Sequence, residues 1–132
     1  MEIYKSQFIE IHFFEKDSIV RNVWNPNTCI MQESEFKSEL LKLVQVISEI
    51  KPKFLLSNAN ELFYNMGPDL REWAKQHFME EVFLQGVEKM GVVISQETFD
   101  KKNIQDLIDQ TLNLPLHYFS NEKEALVWFE KF

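Results

Sequence analysis

Residues 32–56, QESEFKSELLKLVQVISEIKPKFLL, hold the pattern that decides the fold. Apolar side chains recur at helical spacing from Gln32 to Ile50 with charged residues between them, which predicts an amphipathic helix. Pro52 ends that helix, because the residue before a proline avoids helical backbone angles. Lys53 to Leu56 (KFLL) then predicts a short strand that is covered on both faces. A helix followed directly by such a strand is typical of an α/β domain.

The residues before this helix predict an antiparallel hairpin. Phe8 to Glu15 alternates apolar and polar side chains, as a strand with one buried face does. Lys16-Asp17-Ser18 predicts a turn, and Ile19 to Trp24 returns as a second strand that is rich in β-branched and aromatic residues. Asn25-Pro26-Asn27 stops that strand.

The rest of the chain predicts alternating helices and strands. The first is a helix from Pro68, with Leu70, Trp73, Ala74, His77 and Phe78 on its inner face, and a strand from Lys89 to Ile94 follows it. A short helix capped by Asn103 carries Leu107, Ile108 and Leu112, and a strand from Leu116 to Phe119 comes next. The last helix is capped by Asn121, and its buried stripe is Ala125, Trp128, Phe129 and Phe132. Connections of this kind between strands demand parallel crossovers. The sequence therefore predicts one α/β domain over residues 1–132. Its single mixed sheet has about five strands, first the hairpin and then parallel strands, and about four helices cover it.

Composition and charge exclude several classes of function. The 132 residues carry 21 acidic and 14 basic side chains and a net charge of −7, so the chain repels phosphate backbones and is not expected to bind nucleic acid. Cys29 is the only cysteine, which excludes an internal disulfide and fits a reducing compartment. The opening residues do not have the basic-then-apolar pattern of a leader, so none is expected, and no apolar run is long enough to span a bilayer. We expect a cytoplasmic, bacterial-type protein without integral membrane association.

No arrangement of residues is diagnostic of a reaction. The chain has no G-x-S-x-G nucleophile motif and no glycine-rich phosphate loop, and its three histidines (His12, His77 and His117) are scattered. An enzyme that uses Ser57 would need a base within hydrogen-bond reach, and no sequence neighbour supplies one. The sequence therefore predicts a protein that is not an enzyme and has no cofactor and no metal.

Small polar residues follow the inner strands, where ligands bind in open α/β sheets. The candidate ligand-binding residues are Ser57, Asn58, Asn60, Tyr64 and Ser95. The loop before Pro68 is unusually apolar, and Leu62, Phe63 and Met66 are its candidate residues for an interaction. Two interpretations stay open. Either these residues form a site under a lid, or the Ser and Asn residues only build turns and caps while the apolar ones complete the core.

Several strings resemble the SpoIIAA-like branch of the STAS superfamily. They are the hairpin that ends in Trp24, the long helix followed by KPKFLLSNAN, the helix with LREW, the strand KMGVVIS and the closing YFSNEKEALVWF, and they span nearly the whole chain. The resemblance implies a STAS-like fold, related in shape to the CRAL-TRIO lipid-binding domain. In the anti-sigma-factor antagonists of this superfamily, a serine before the corresponding helix is phosphorylated. Here that stretch is Tyr64 to Pro68, which has no Ser or Thr, so this switch is not expected.

The resemblance implies a non-enzymatic regulatory or protein-interaction module. Its partner would be an unknown protein, bound through the loop from Leu62 to Met66, or a second copy in a homodimer. The alternative is a binding module for a small apolar or lipid-like ligand, by analogy with the CRAL-TRIO domain.

Overall fold

The structure is a computed structural model, and it describes residues 1–97 and 114–131. Its strands are β1 (Glu2–Lys5), β2 (Ile9–Phe14), β3 (Ile19–Trp24), β4 (Phe54–Asn58), β5 (Lys89–Val93) and β6 (Leu116–Phe119). Its helical elements are a 3-10 turn (Pro26–Ile30), α1 (Glu33–Ile50), α2 (Pro68–Ala74), a π-helical segment (Lys75–Met79), α3 (Glu80–Leu84) and α4 (Glu122–Phe129). The predicted helix after Asn103 and the contribution of Phe132 to the last helix lie outside the described residues.

The six strands form one mixed sheet in which they lie side by side in chain order. β1, β2 and β3 pair antiparallel, and β3, β4, β5 and β6 pair parallel. The predicted α/β class, the hairpin and the parallel strands after it are confirmed.

The two faces of the sheet carry different helices. The larger core cluster joins one face to α1 and to the helical stretch 68–84, through residues such as Leu43, Ile47 and Phe78. A smaller cluster joins the other face to α4, where Ala125 and Phe129 pack among Ile19, Leu56 and Val93. The sheet is therefore layered on both sides, and β4 is covered on both faces as its apolar sequence predicts.

β1 is absent from the prediction because its sequence does not alternate cleanly. Two apolar neighbours, Ile3 and Tyr4, follow each other without a polar residue between them, and the register of β1 with β2 shifts between Glu2 and Tyr4. A register shift of this kind is the signature of a β-bulge, which breaks the period of two on which strand prediction depends. The sheet thus has six strands rather than five.

The prediction that His77 lies on the inner face of its helix is wrong. His77 is exposed, whereas Leu70, Ala74, Phe78 and Val82, four residues apart, are buried. In a regular α-helix of 3.6 residues per turn, side chains four residues apart shift progressively around the helix axis and do not stay on one face. The π-helical segment has more residues in its turn and so keeps these four side chains on one face.

α4 lies very close to β5. A Cβ atom on Gly91 would stand 3.1 Å from the Cβ atom of Ala125 and 3.3 Å from Cζ of Phe129. Lys89, two residues earlier, donates from Nζ to the carbonyl oxygen of Trp128 at 2.7 Å and to that of Lys131, at the end of the same helix. A lysine at a helix C-terminus satisfies free carbonyl groups and offsets the negative end of the helix dipole.

Across residues 1–97 and 114–131, none of the helices has both the length and the apolar character that a membrane span requires.

Candidate functional site

The predicted strand-end residues fall on opposite faces of the sheet. Ser57 is buried on the face that α1 covers, because it alternates with Leu56, which packs on the α4 side. Asn58, one residue later, faces α4 and donates from Nδ2 to Oε2 of Glu122 at 2.6 Å. The structure therefore does not bring Ser57 and Asn58 together in one pocket.

On the α4 side, Asn58 belongs to a cluster of three hydrogen-bonded polar side chains, with Arg21 and Glu122. Arg21 donates to the Glu122 carboxylate from Nη2 at 2.8 Å and from Nε at 3.0 Å. The side-chain oxygen of Asn58 accepts from the backbone N–H of Asn60 at 3.0 Å, and Asn60 itself is exposed. These contacts tie β3 and β4 to the first turn of α4, so Asn58 and Asn60 have structural partners.

On the α1 side, Ser57 has a polar neighbour that the sequence analysis missed. Asn22 and Ser57 are register partners in β3 and β4, and the same row across the sheet continues with Ile11, Val92 and Tyr118. Asn22 is 0% exposed, and within the described part of the chain neither its side-chain oxygen nor its side-chain nitrogen has a hydrogen-bond partner. Buried side-chain amides are almost always hydrogen-bonded, so this one requires an explanation.

Tyr118 ends this row at the edge strand β6. Burial raises the pKa of the Tyr118 phenol, and the positive charge of Arg71 on α2 opposes that rise in part. The phenol therefore stays neutral over the physiological range, and its hydroxyl is both a donor and an acceptor. Arg71 is the nearest charge that is shown to act on this end of the row.

An aromatic stack covers the carboxyl end of the same face. The ring of Trp24, two residues after Asn22 on the inner side of β3, stacks on Phe36 of α1 at 5.5 Å, and Phe36 stacks on Tyr64 at 5.2 Å. Burial raises the pKa of Tyr64, and the negative charge of Glu33 raises it further. Tyr64 is half-buried, so of these three rings it is the one next to solvent.

Two loops at the carboxyl edge are joined by a buried threonine. Thr28 Oγ1 lies 2.9 Å from the carbonyl oxygen of Asn25 and 3.1 Å from that of Glu61, and it accepts from the backbone N–H of Phe63 at 2.8 Å. Thr28 is fully buried, and it fixes the loop after β4 on the 3-10 turn after β3. Loop residues with this many fixed backbone contacts have little freedom left to lose on binding.

The predicted interaction loop has two half-buried residues and one exposed residue. Leu62 and Met66 pack against the main core, whereas the side chain of Phe63 is 57% exposed. Ile30, in the 3-10 turn that Thr28 joins to this loop, is 65% exposed. Ser95, which follows β5, is half-buried. Of the three interaction residues, Phe63 is the most exposed to contact with another molecule.

A second polar cluster joins the β1–β2 connection to α1. The buried carboxylate of Glu39 accepts from the Tyr4 hydroxyl at 2.9 Å and from the Ser6 hydroxyl. Burial raises the pKa of Tyr4, and its hydrogen bond to Glu39 adds to that rise. Ser6 Oγ also accepts from the backbone N–H groups of Phe8 and Ile9. Every group in the cluster has a structural partner, although a cleft of about 280 Å³ opens beside it.

Within the described ranges, no three His, Cys, Asp or Glu side chains come together in a group that could hold a metal ion. No protein-family model, no curated protein and no solved structure matches the chain. The resemblance to the SpoIIAA-like branch of the STAS superfamily therefore rests on the sequence strings quoted above.

Proposed function

We propose that the protein is a non-enzymatic, STAS-like interaction module that binds a protein partner at the carboxyl edge of its sheet. The observation that carries the proposal is Phe63, a large aromatic side chain that is 57% exposed on a loop fixed by Thr28. Aromatic residues, Phe among them, are enriched at protein interfaces, and a side chain on a rigid support loses little freedom on binding.

The surroundings of Phe63 support a surface contact rather than a role in the core. Its neighbours Leu62 and Met66 already fill the core below the loop. Ile30, in the turn that Thr28 joins to the loop, is a second exposed apolar side chain at this edge. An aromatic centre beside an aliphatic residue, with exposed polar residues such as Glu61 and Asn65 around it, has the composition of a small interface.

Regulation through phosphorylation of the stretch before α2 is not part of the proposal. Residues 64–68 carry no hydroxyl other than the Tyr64 phenol, and that ring is stacked on Phe36. The exposed, unpaired thiol of Cys29 supports placement in a reducing compartment such as the cytoplasm. The partner would then be a cytoplasmic protein, and a second copy of this chain is the alternative partner.

Site-specific photo-crosslinking in the native cell tests the proposal. A photoreactive phenylalanine analogue replaces Phe63 in one version of the protein and Phe14 in the other. Phe14 is the matched control, because it is 43% exposed and pairs with Ile19 at the opposite end of β3. We expect one defined partner at position 63 and none at position 14. The same product at both positions, or none at either, would contradict the proposal.

The oligomeric state separates the two kinds of partner. Light scattering on the purified protein should report a monomer if the partner is a different protein. A dimer that persists in Phe14→Ser and dissociates in Phe63→Ser would instead identify a second copy as the occupant of this edge.

A second candidate function, binding a small ligand, is favoured by one specific observation. Asn22 is buried without a hydrogen-bond partner among the described residues. This observation concerns the interior of the domain and not the Phe63 surface.

A further inference from the structure

We propose that Asn22 and Ser57 form an internal binding site for a small uncharged molecule that presents a hydrogen-bond donor beside an acceptor, as a lactam or a primary carboxamide does. The site lies on the α1 side of the sheet, where Asn22 and Ser57 are register partners between Ile11 on β2 and Val92 on β5. It is independent of the Phe63 surface.

The amide of Asn22, which is unpaired among the described residues, costs the fold free energy. The Asn22 side chain has two N–H donors and a carbonyl oxygen with two lone pairs, and all of them are removed from water. A buried polar group without a partner costs more than an average hydrogen bond contributes, whereas an apolar residue of the same shape costs little. A leucine would serve the fold better at this position. The amide is therefore explained by a molecule that it binds.

The neighbours of Asn22 in the row are uncharged. Ser57 is buried next to Asn22 on the same face and adds one hydroxyl, which both donates and accepts. The other members of the row are Ile11, Val92 and the neutral Tyr118. No member of the row carries a charge, so a charged ligand group would be desolvated without a counter-ion. The recognised group must be neutral.

The geometry of an amide fixes the recognised pattern. A side-chain carboxamide pairs in a bidentate way with a partner that offers an acceptor next to a donor, as it does with the edge of a base. A lactam or a primary carboxamide offers these two groups at the matching separation. The serine hydroxyl would then supply a third hydrogen bond to the same polar group.

The aromatic stack separates Asn22 and Ser57 from solvent at the carboxyl edge. Trp24, Phe36 and Tyr64 lie between this row and the carboxyl edge of the sheet, where ligands enter open α/β folds. Tyr64 is the half-buried outer ring of this stack, so rotation of its side chain alone opens the way while the backbone of the loop stays fixed. Entry past Tyr64 would expose Asn22 and Ser57 to a small solute.

Nuclear magnetic resonance of the whole protein tests the site directly. The probes are 2-pyrrolidone and its N-methyl derivative, which has the same ring and carbonyl but lacks the donor. We expect 2-pyrrolidone to shift the side-chain N–H signals of Asn22 in a saturable manner and to raise the Tm. The N-methyl compound should bind about tenfold more weakly or worse, because it leaves one amide group unpaired.

Asn22→Leu supplies the variant test. This protein should fold, have a higher Tm than the wild type without a probe, and lose the response to 2-pyrrolidone. Because the comparison of the two probes uses the wild type alone, a variant that fails to fold would not remove the test. Equal binding of both probes would overturn the proposal. So would an Asn22 amide that contacts only bound water and gives no saturable shift with 2-pyrrolidone, since a structural water then accounts for it.

Discussion

At Gly91 the absence of a side chain lets α4 lie directly on β5. An added Cβ atom would come within 3.1 Å of Ala125 and 3.3 Å of Phe129, and both residues are buried. We predict that Gly91→Ala lowers the free energy of unfolding by ~1–3 kcal/mol, as overpacking of a core does. Urea denaturation measures this loss. In a double-mutant cycle with Ala125→Gly, the two changes should destabilise less than the sum of their separate effects. Strict additivity would show that the contact is not the cause.

Tyr118 gives the fold a dependence on alkaline pH. Burial raises its pKa above the ordinary value of 10.0, so the folded state holds the phenolic proton more tightly than the unfolded state does. The resulting stabilisation is complete below pH 10 and is lost as the pH rises through the folded-state pKa. We predict that Tyr118→Phe reduces the loss of stability above pH 10, measured by urea denaturation across that range. An unchanged alkaline profile would contradict the assignment.

The sequence located Ser57 at a strand end but missed Asn22. A signal for Asn22 was present: Val20 and Trp24 point inward in β3, so the period of two also sends Asn22 inward, as a polar residue among apolar ones. That Asn58 binds Glu122 was beyond sequence reasoning, because the two residues are 64 positions apart. Their meeting depends on the packing of α4, which no local pattern encodes.

Among the elements, α1 ends at a residue with a strained backbone. Lys51, its C-cap, has φ 52° and ψ 59°, in the left-handed region that favours glycine. We predict that Lys51→Gly raises the free energy of unfolding by ~0.5–1 kcal/mol. Lys53→Gly is the matched control, since Lys53 is also an exposed lysine but is not among the residues with positive φ. It should destabilise, and stabilisation by both changes would contradict the backbone explanation.

The junction of α4 with the sheet depends on Glu122. Its carboxylate accepts from Arg21 at two nitrogens and from Asn58, and the three residues come from α4, β3 and β4. We predict that Glu122→Gln lowers the free energy of unfolding by ~1–2 kcal/mol, because these half-buried hydrogen bonds involve charged groups. Glu124→Gln, in the same helical turn but exposed, should change it by less than ~0.5 kcal/mol. Equal effects in thermal or urea denaturation would show that Glu122 acts only through the helix dipole.

Helices and strands whose apolar residues recur at a regular spacing were predictable, and those with an irregular backbone were not. α1 was found because its apolar residues recur at helical spacing over the whole helix, and β4 because Phe54 to Leu56 is a continuous apolar run. β4 continues through the polar Ser57 and Asn58, two residues beyond the predicted end. The inner face of the stretch 68–84 was partly wrong because the π-helical segment changes the number of residues per turn. β1 was missed because its bulge removes the alternation.

For the whole molecule, the order of strands explains why the two faces differ. Right-handed crossovers between parallel strands that follow each other in chain order place their helices on the same face. α1 and the stretch 68–84 therefore share one face, and α4 covers the other after β6. The α/β class and the mixed sheet could be predicted from element order. The STAS resemblance and the function inferred from it stay predictions, since they concern binding and not packing.

The central claim, that the carboxyl edge binds a protein partner through Phe63, is tested most directly by the affinity of the partner that the crosslink identifies. Isothermal titration of that purified partner with the wild type, Phe63→Ser and Phe14→Ser supplies the three values of Kd. We predict a loss of affinity of about thirtyfold or more for Phe63→Ser, which corresponds to the ~2 kcal/mol of an aromatic hot spot, and an unchanged Kd for Phe14→Ser. Equal affinity of Phe63→Ser and the wild type would contradict the claim.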